Sequence, residues 1–387
     1  MKTRFLILLL SAIANLSLAQ GIEFFEGSLE EALAMAKLED KLIFVDAYTT
    51  WCGPCKAMSK NVFTDVNVGE FYNKSFINLK IDQEKGEGLD FAKKYNVRFY
   101  PTFVFINSEG EMAHKAVGYI EVEDFILLGA AATNDNYQLL SLQNKYDKGD
   151  KNSRVLKNLA NALSEAYMDN SEEIALEYLA TQADWKNDEN IAFIYKHFPS
   201  DIESEVFYFI VKERALFEAY VENPAAIDAK INHAIEKSLE ANKISDDEEI
   251  NLLFMKYFAE EGLAKAEDYK IKVLMTSQKP ENLKEAFTRK IAWFKDYPSN
   301  NWQELNAFAW TVYENSDDRG FLQEAQDLAL QSIRIDENYY NTDTYTWISY
   351  KLKDYKNAKL YGEKAIVLGK EDGSDVSELE AMLKKLP

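Results

Sequence analysis

Two rhythms of hydrophobic and polar positions run along this chain. Residues 41–48 (KLIFVDAY) form a short, nearly continuous apolar run rich in Ile, Phe and Val, which predicts a buried central strand. Residues 76–82 (FINLKID) alternate as a second strand. Residues 99–106 and 112–119 flank the turn cluster Asn107-Ser108-Glu109-Gly110, which suits a β-hairpin. Helical spacing fills the intervals. Residues 28–39 open on Ser28-Leu29-Glu30-Glu31, a capping-box pattern, and residues 56–63, 65–74, 87–95 and 121–132 follow. The order strand, helix, strand, helix, hairpin, helix predicts an α/β unit with a mixed central sheet and helices on both faces, over residues 20–134.

The polar stretch Thr133-Asn134-Asp135-Asn136 marks the expected boundary, and everything beyond it has helical spacing. Residues 135–300 contain helix pairs such as 154–167 and 171–183, with no assignable repeat phase. In residues 301–387 a repeat can be read. Leu322-Gln323-Glu324-Ala325, with Ser332 after it, echoes Tyr355-Lys356-Asn357-Ala358, with Ala365 after it, at an offset of 33 residues. An aromatic-rich helix precedes each, carrying Phe308 and Trp310 in one and Tyr345 and Trp347 in the other. The period and the small residues loosely resemble tetratricopeptide (TPR) repeats.

Composition narrows the class. In 387 residues, 47% are hydrophobic and 13% aromatic, enough for real cores. The net charge of −21 repels phosphate backbones and anionic lipid, so no nucleic-acid partner is expected. Residues 1–19 read as a signal peptide: Lys2 and Arg4, an apolar stretch from Phe5, then Ser17-Leu18-Ala19 before a cut ahead of Gln20. The alternative is an uncleaved anchor, but the stretch is shorter than the roughly 20 residues a spanning helix needs. No cysteine follows it to carry a lipid, and no later segment is apolar enough to span a membrane. The expectation is an exported protein, periplasmic if the cell is a Gram-negative bacterium, with no membrane span after cleavage.

The chain has two cysteines, Cys52 and Cys55. A bridge between them closes almost no loop and is poorly suited to stabilising a fold. At a helix start the pair can form and break a disulfide without large backbone movement. Cys52 sits where unpaired helix N–H groups favour a thiolate, the attacking species, and Cys55 lies one turn deeper to resolve the mixed disulfide. Pro54 fits the first helical turn. Half of a zinc site is the competing reading, but a structural site needs four ligands. No third cysteine exists, and His114, His197 and His233 are scattered, as expected of surface or core-edge residues. Neither metal nor cofactor is expected.

The segment Trp51-Cys52-Gly53-Pro54-Cys55-Lys56 resembles the active site of the thioredoxin family, in which Gly53, Pro54 and Lys56 support the cysteine pair. The resemblance covers about 115 residues and implies a thioredoxin-like α/β domain ahead of the all-α, TPR-like region. It implies that Asp46, six residues before Cys52, is the buried carboxylate that takes and returns the proton of Cys55. A partly exposed aspartate at a strand end is the alternative. Tyr100-Pro101-Thr102 falls where the family has a cis-proline facing the site, against the alternative of a trans edge-strand proline. By the same resemblance Gly118 lies beside the substrate groove and Trp51 covers one side of the site. Two departures stand out. Lys60 occupies the place of a kinking proline, and Asn78 replaces the lysine near the buried carboxylate, a loss expected to alter how Asp46 titrates. The stretch 55–63 is closer to exported thioredoxin-like domains fused to other modules.

The expected function is an exported thiol–disulfide oxidoreductase of the protein-disulfide reductase type, active in cell redox homeostasis. Its partners are protein thiols and disulfides, an unidentified electron donor, and a protein held at the C-terminal helices. The alternatives are a disulfide isomerase or oxidase whose helices hold substrate, and an interaction scaffold built on the helical repeats.

Overall fold

The computed structural model describes residues 21–277 and 279–387, so the signal peptide expected at residues 1–19 lies outside the described residues. Ser28 starts the first helix, α1 (Leu29–Glu39), through the reciprocal capping box its sequence predicts. Four strands follow among further helices: β1 (Leu42–Tyr48), β2 (Phe76–Asp82), β3 (Thr102–Ile106) and β4 (Met112–Val117). They lie in the order β2-β1-β3-β4, with β1 parallel to β2 and antiparallel to β3, and β3 antiparallel to β4. This is the mixed sheet the pattern predicts.

Alternation along β1 divides the core. Ile43, Val45 and Ala47 pack with Ala32 and Ala36 of α1 and with Phe91 of α4 (Gly88–Lys94) on one face. On the other face Phe44 meets Phe63, in the segment that follows α2 (Gly53–Ala57), and helices α3 (Val66–Ser75) and α5 (Val122–Ala132) in an aromatic cluster. There Tyr72 stacks on Phe125 at 4.6 Å, and its hydroxyl donates to the Phe125 carbonyl. Such aromatic pairs add roughly 0.5–1.5 kcal/mol beyond their buried area. The helix carrying Cys55 has no proline after Pro54. It widens into a π-turn over Met58–Val62, where the Phe63 N–H reaches back to the Met58 carbonyl.

The helical region starts with α6 (Leu139–Asp147), α7 (Ser153–Glu165), α8 (Ser171–Ala180), α9 (Asp188–Lys196), α10 (Glu205–Lys212) and α11 (Arg214–Val221). The described residues divide into two compact units, one running to Lys230 and the other Ile231–Pro387. The first therefore joins the sheet to α6–α11. Helices α6 and α7 both pack on the edge strand β4.

Helix α12 (Pro224–Asn242) carries the chain across the division. The second unit continues with α13 (Asp247–Phe258), α14 (Gly262–Thr276), α15 (Pro280–Asp296), α16 (Trp302–Asn315), α17 (Arg319–Ile335), α18 (Tyr339–Lys351), α19 (Tyr355–Asp372) and α20 (Ser377–Leu383). From α16 to α19 each helix packs on the next through short connections. Ala325, Ser332, Ala358 and Ala365, the small residues of the sequence repeat, are all fully buried there. Among the described residues no helix is long and apolar enough to cross a membrane.

Candidate functional site

β1 ends at Tyr48, and the chain turns through Thr49 and Trp51 into α2. Cys52 caps that helix with its own sulfur, Sγ accepting the Cys55 N–H at 3.1 Å. The two cysteines are joined by a disulfide, with Cα atoms 5.3 Å apart, and both are buried. The structure therefore shows the oxidised form. Pro54 occupies the first turn, where its missing N–H leaves nothing unsatisfied, and Gly53, Pro54 and Lys56 are exposed around the pair.

The other expected residues frame this segment. Trp51 is largely exposed. Its ring meets that of Tyr100 edge-on at 6.1 Å, and its Nε1–H donates to Glu84 at 2.9 Å. The Tyr100–Pro101 peptide bond is cis. Thr102 is fully buried, its hydroxyl donating to the Phe99 carbonyl, and the Gly118 N–H donates to the Pro101 carbonyl. Gly118 has φ +98°, a conformation L side chains rarely adopt, and a Cβ there would meet nothing within 4 Å. The glycine requirement inside the chain is thus one of backbone conformation, and the space before it is open.

Asp46 is buried, only 1% exposed, on the β1 face that Phe44 shares with the Cys55 helix. Burial raises its carboxyl above the usual aspartate value, and the nearby Lys80 cation partly offsets this. Here the expectation at Asn78 is overturned. In the parallel register Lys80 stands opposite Asp46, and its Nζ lies 2.9 Å from the carboxylate. Asn78 stands opposite Phe44, and its amide instead ties down the Glu23 carbonyl and Asn73. The cation that seemed lost comes from two residues further along the same face of β2. Lys80 also donates to the Ser59 hydroxyl at 2.9 Å and lies about 5 Å from the rings of Phe24, Tyr48 and Phe63. Ser59 belongs to the π-turn, so Lys80 links Asp46 to the helix that carries Cys55.

Lys80, Ser59 and Glu84 are site residues that sequence reasoning missed. The alternation of β2 puts both Asn78 and Lys80 on the Asp46 side, so it could have nominated Lys80 as an equal candidate. The histidines need a second correction. His233 is exposed as expected, but His197 is nearly buried and His114 lies in the interior at 1% exposed, its Nδ1 accepting the Leu139 N–H. Among the described residues no cluster of His, Cys, Asp or Glu could hold a metal ion.

A mixed sheet in this order, with a Cys-x-x-Cys disulfide opening a helix and a cis-proline ahead of β3, defines a thioredoxin-like protein. A family model described as a thioredoxin-like domain matches residues 29–133. Thioredoxin-1 of Drosophila melanogaster is 43% identical over 75 residues, 19% of this chain and 65% of that protein, so just under two thirds of its length is spanned. Thioredoxin-1 of Caenorhabditis elegans is 31% identical over 105 residues, 26% of this chain and 81% of its own length. Among solved structures, a putative disulphide-isomerase from Bacteroides thetaiotaomicron is 51% identical over 29% of this chain and 94% of that one, with a TM-score of 0.27. The chain belongs to the thioredoxin family.

Proposed function

We propose that this protein is an exported thiol–disulfide oxidoreductase that works as a dithiol reductase of protein disulfides. The observation that carries the reading is the Cys52 sulfur at a helix start, held by the Cys55 N–H. That contact stabilises a thiolate once the disulfide is opened. In the reduced protein the Cys52 thiolate attacks a substrate disulfide, forms a mixed disulfide and expels one substrate thiolate. Asp46 takes the proton of Cys55, whose thiolate attacks Cys52 Sγ and releases the second substrate thiol. Two electrons and two protons pass to the substrate, and the Cys52–Cys55 disulfide remains until an external dithiol donor reduces it. Trp51, Tyr100 and Gly118 form the surface the substrate meets, with Pro101 and the buried Thr102 setting the backbone behind it. Export rests on residues 1–19, and the hairpins of α16–α19, read as tetratricopeptide-type repeats, supply a partner surface.

The test equilibrates the mature protein against glutathione and traps the free thiols. A potential near −270 mV, the thioredoxin end, fits a reductase. A value near −120 mV makes the protein a disulfide donor and overturns the proposed direction.

A further inference from the structure

Within the first unit, a cleft of about 1350 Å³ lies between α5 with the edge strand β4 on one side and α7 with the start of α8 on the other. This exceeds the roughly 300–1,000 Å³ of ordinary small-ligand pockets. Its walls carry both signs of charge, Arg98 and Lys196 against Asp124 and Glu165, so it is not built for a small anion. The cleft adjoins the redox face along the chain. Phe99, two residues before Pro101, lines it, and so does Val117, next to Gly118. At that end the ring of Phe99 meets the ring of Tyr167 at 5.4 Å, and both side chains are more than half exposed. A strand advances about 3.3 Å per residue, so a chain passing the Pro101–Gly118 turn reaches the cleft within a few residues.

One buried polar group in the cleft wall has no partner within the chain. His114 lines it, and Nδ1 accepts the Leu139 N–H, which places the ring proton of the neutral imidazole on Nε2. That Nε2 is buried and has no hydrogen-bond partner in the protein. A buried donor left unmade costs roughly 1–3 kcal/mol, and a peptide carbonyl satisfies it. We propose that the cleft binds the segment of the substrate protein flanking its disulfide, with His114 Nε2–H donating to a main-chain carbonyl of that segment. This rests on the redox reading above and extends its substrate site from the Cys52 neighbourhood to the α5–α7 cleft.

The experiment uses the full mature chain, regenerated by a dithiol reductant. Its probes are synthetic cysteine peptides held as mixed disulfides with glutathione, with flanks of increasing length on either side. Reduction of each breaks one disulfide, releases the peptide thiol and glutathione, and leaves Cys52–Cys55 oxidised. The expected result is a gain in kcat/KM of about tenfold as one flank lengthens, carried by KM. His114→Asn keeps an acceptor for the Leu139 N–H, while its shorter amide no longer places a donor at the Nε2 position. Leu127→Arg places a charge at a largely exposed position lining the cleft, where folding is not at stake. Each variant should abolish most of the flank-dependent gain while the flankless disulfide reacts as before. Rates independent of flank length, or an equal gain in both variants, overturn the cleft while leaving the redox reading standing. No turnover of any member, the flankless one included, overturns the redox reading itself.

Discussion

Lys80 stands directly across the parallel β1–β2 register from Asp46 and holds its carboxylate at 2.9 Å. Burial raises the Asp46 carboxyl, and the Lys80 charge is the main influence acting against it. Removing that charge in Lys80→Met should move the Asp46 titration to higher pH, as followed by carboxyl infrared or carbon NMR signals. If Asp46 handles the Cys55 proton, the pH profile of mixed-disulfide resolution moves up with it. An unmoved titration would show that the pair does not couple.

Asp46 itself should reduce stability at neutral pH. Its folded carboxyl is raised above the unfolded value of 3.8, so the folded state holds the proton more tightly. Stability from this group is present at low pH and lost as pH rises through the folded value. Asp46→Asn removes that loss, and Lys80, whose side chain is 28% exposed, keeps contact with water. The variant should gain in thermal midpoint relative to the wild type as pH rises from about 4 to 8. It should also resolve mixed disulfides more slowly, by about a hundredfold if Asp46 is the general base. A midpoint gap that does not change with pH would rule out the buried carboxylate as its source.

Two histidines act in the opposite direction. Burial pushes both His114 and His197 down to about 4 from 6.5, and the neighbouring Lys196 adds to the effect at His197. Between those values the unfolded chain takes up protons that the folded one refuses, so stability falls as pH drops from 6.5 toward 4. The loss is on the order of 2–3 kcal/mol for each. Denaturant midpoints across this range should slope downward toward acid, and His114→Asn should flatten the slope.

The strands and helices of the sheet unit were legible because their signals are local. Ser28 and Glu31 sit three positions apart in the same capping box, and β2 spans Phe76–Asp82, the same seven residues that alternate in the sequence. What escaped was set by distant pairing. Asn78 and Lys80 share a strand face, and only the β1–β2 register decides which of them meets Asp46. The π-turn at Met58–Val62 escaped for a related reason. Its wider i→i+5 bonding leaves the helical spacing of apolar residues almost unchanged. The cysteine pair was legible from its spacing alone, whereas the interior place of His114 depends on α6, far along the chain.

Gly118 offers a direct test of how the substrate surface is built. At φ +98°, alanine is strained although its Cβ meets no atom of the chain. Gly118→Ala should therefore cost about 1–2 kcal/mol of stability. Because the added methyl projects into open space beside Pro101, it should raise KM for peptide disulfides more than for a small aromatic disulfide. Equal effects on both would mean the space before Gly118 is not where the peptide lies.

The end of the thioredoxin-like domain can be tested by truncation. The polar run at residues 133–136 suggests a boundary at 134, yet α6 beyond it buries Leu139 and Leu142 and packs on β4. Its first N–H also satisfies His114 Nδ1. A chain cut at 134 loses that donor and the partners of both leucines, each leucine contributing roughly 1.5–3 kcal/mol of burial when intact. We expect a fragment of residues 21–134 to unfold at markedly lower denaturant than one extended through α7 to residue 166. The shorter fragment should still form the Cys52–Cys55 disulfide, because the β1–α2 segment holding it makes its core with β2, β3 and α5. Equal midpoints for the two fragments would place the boundary at 134 and make α6 and α7 passengers on the sheet.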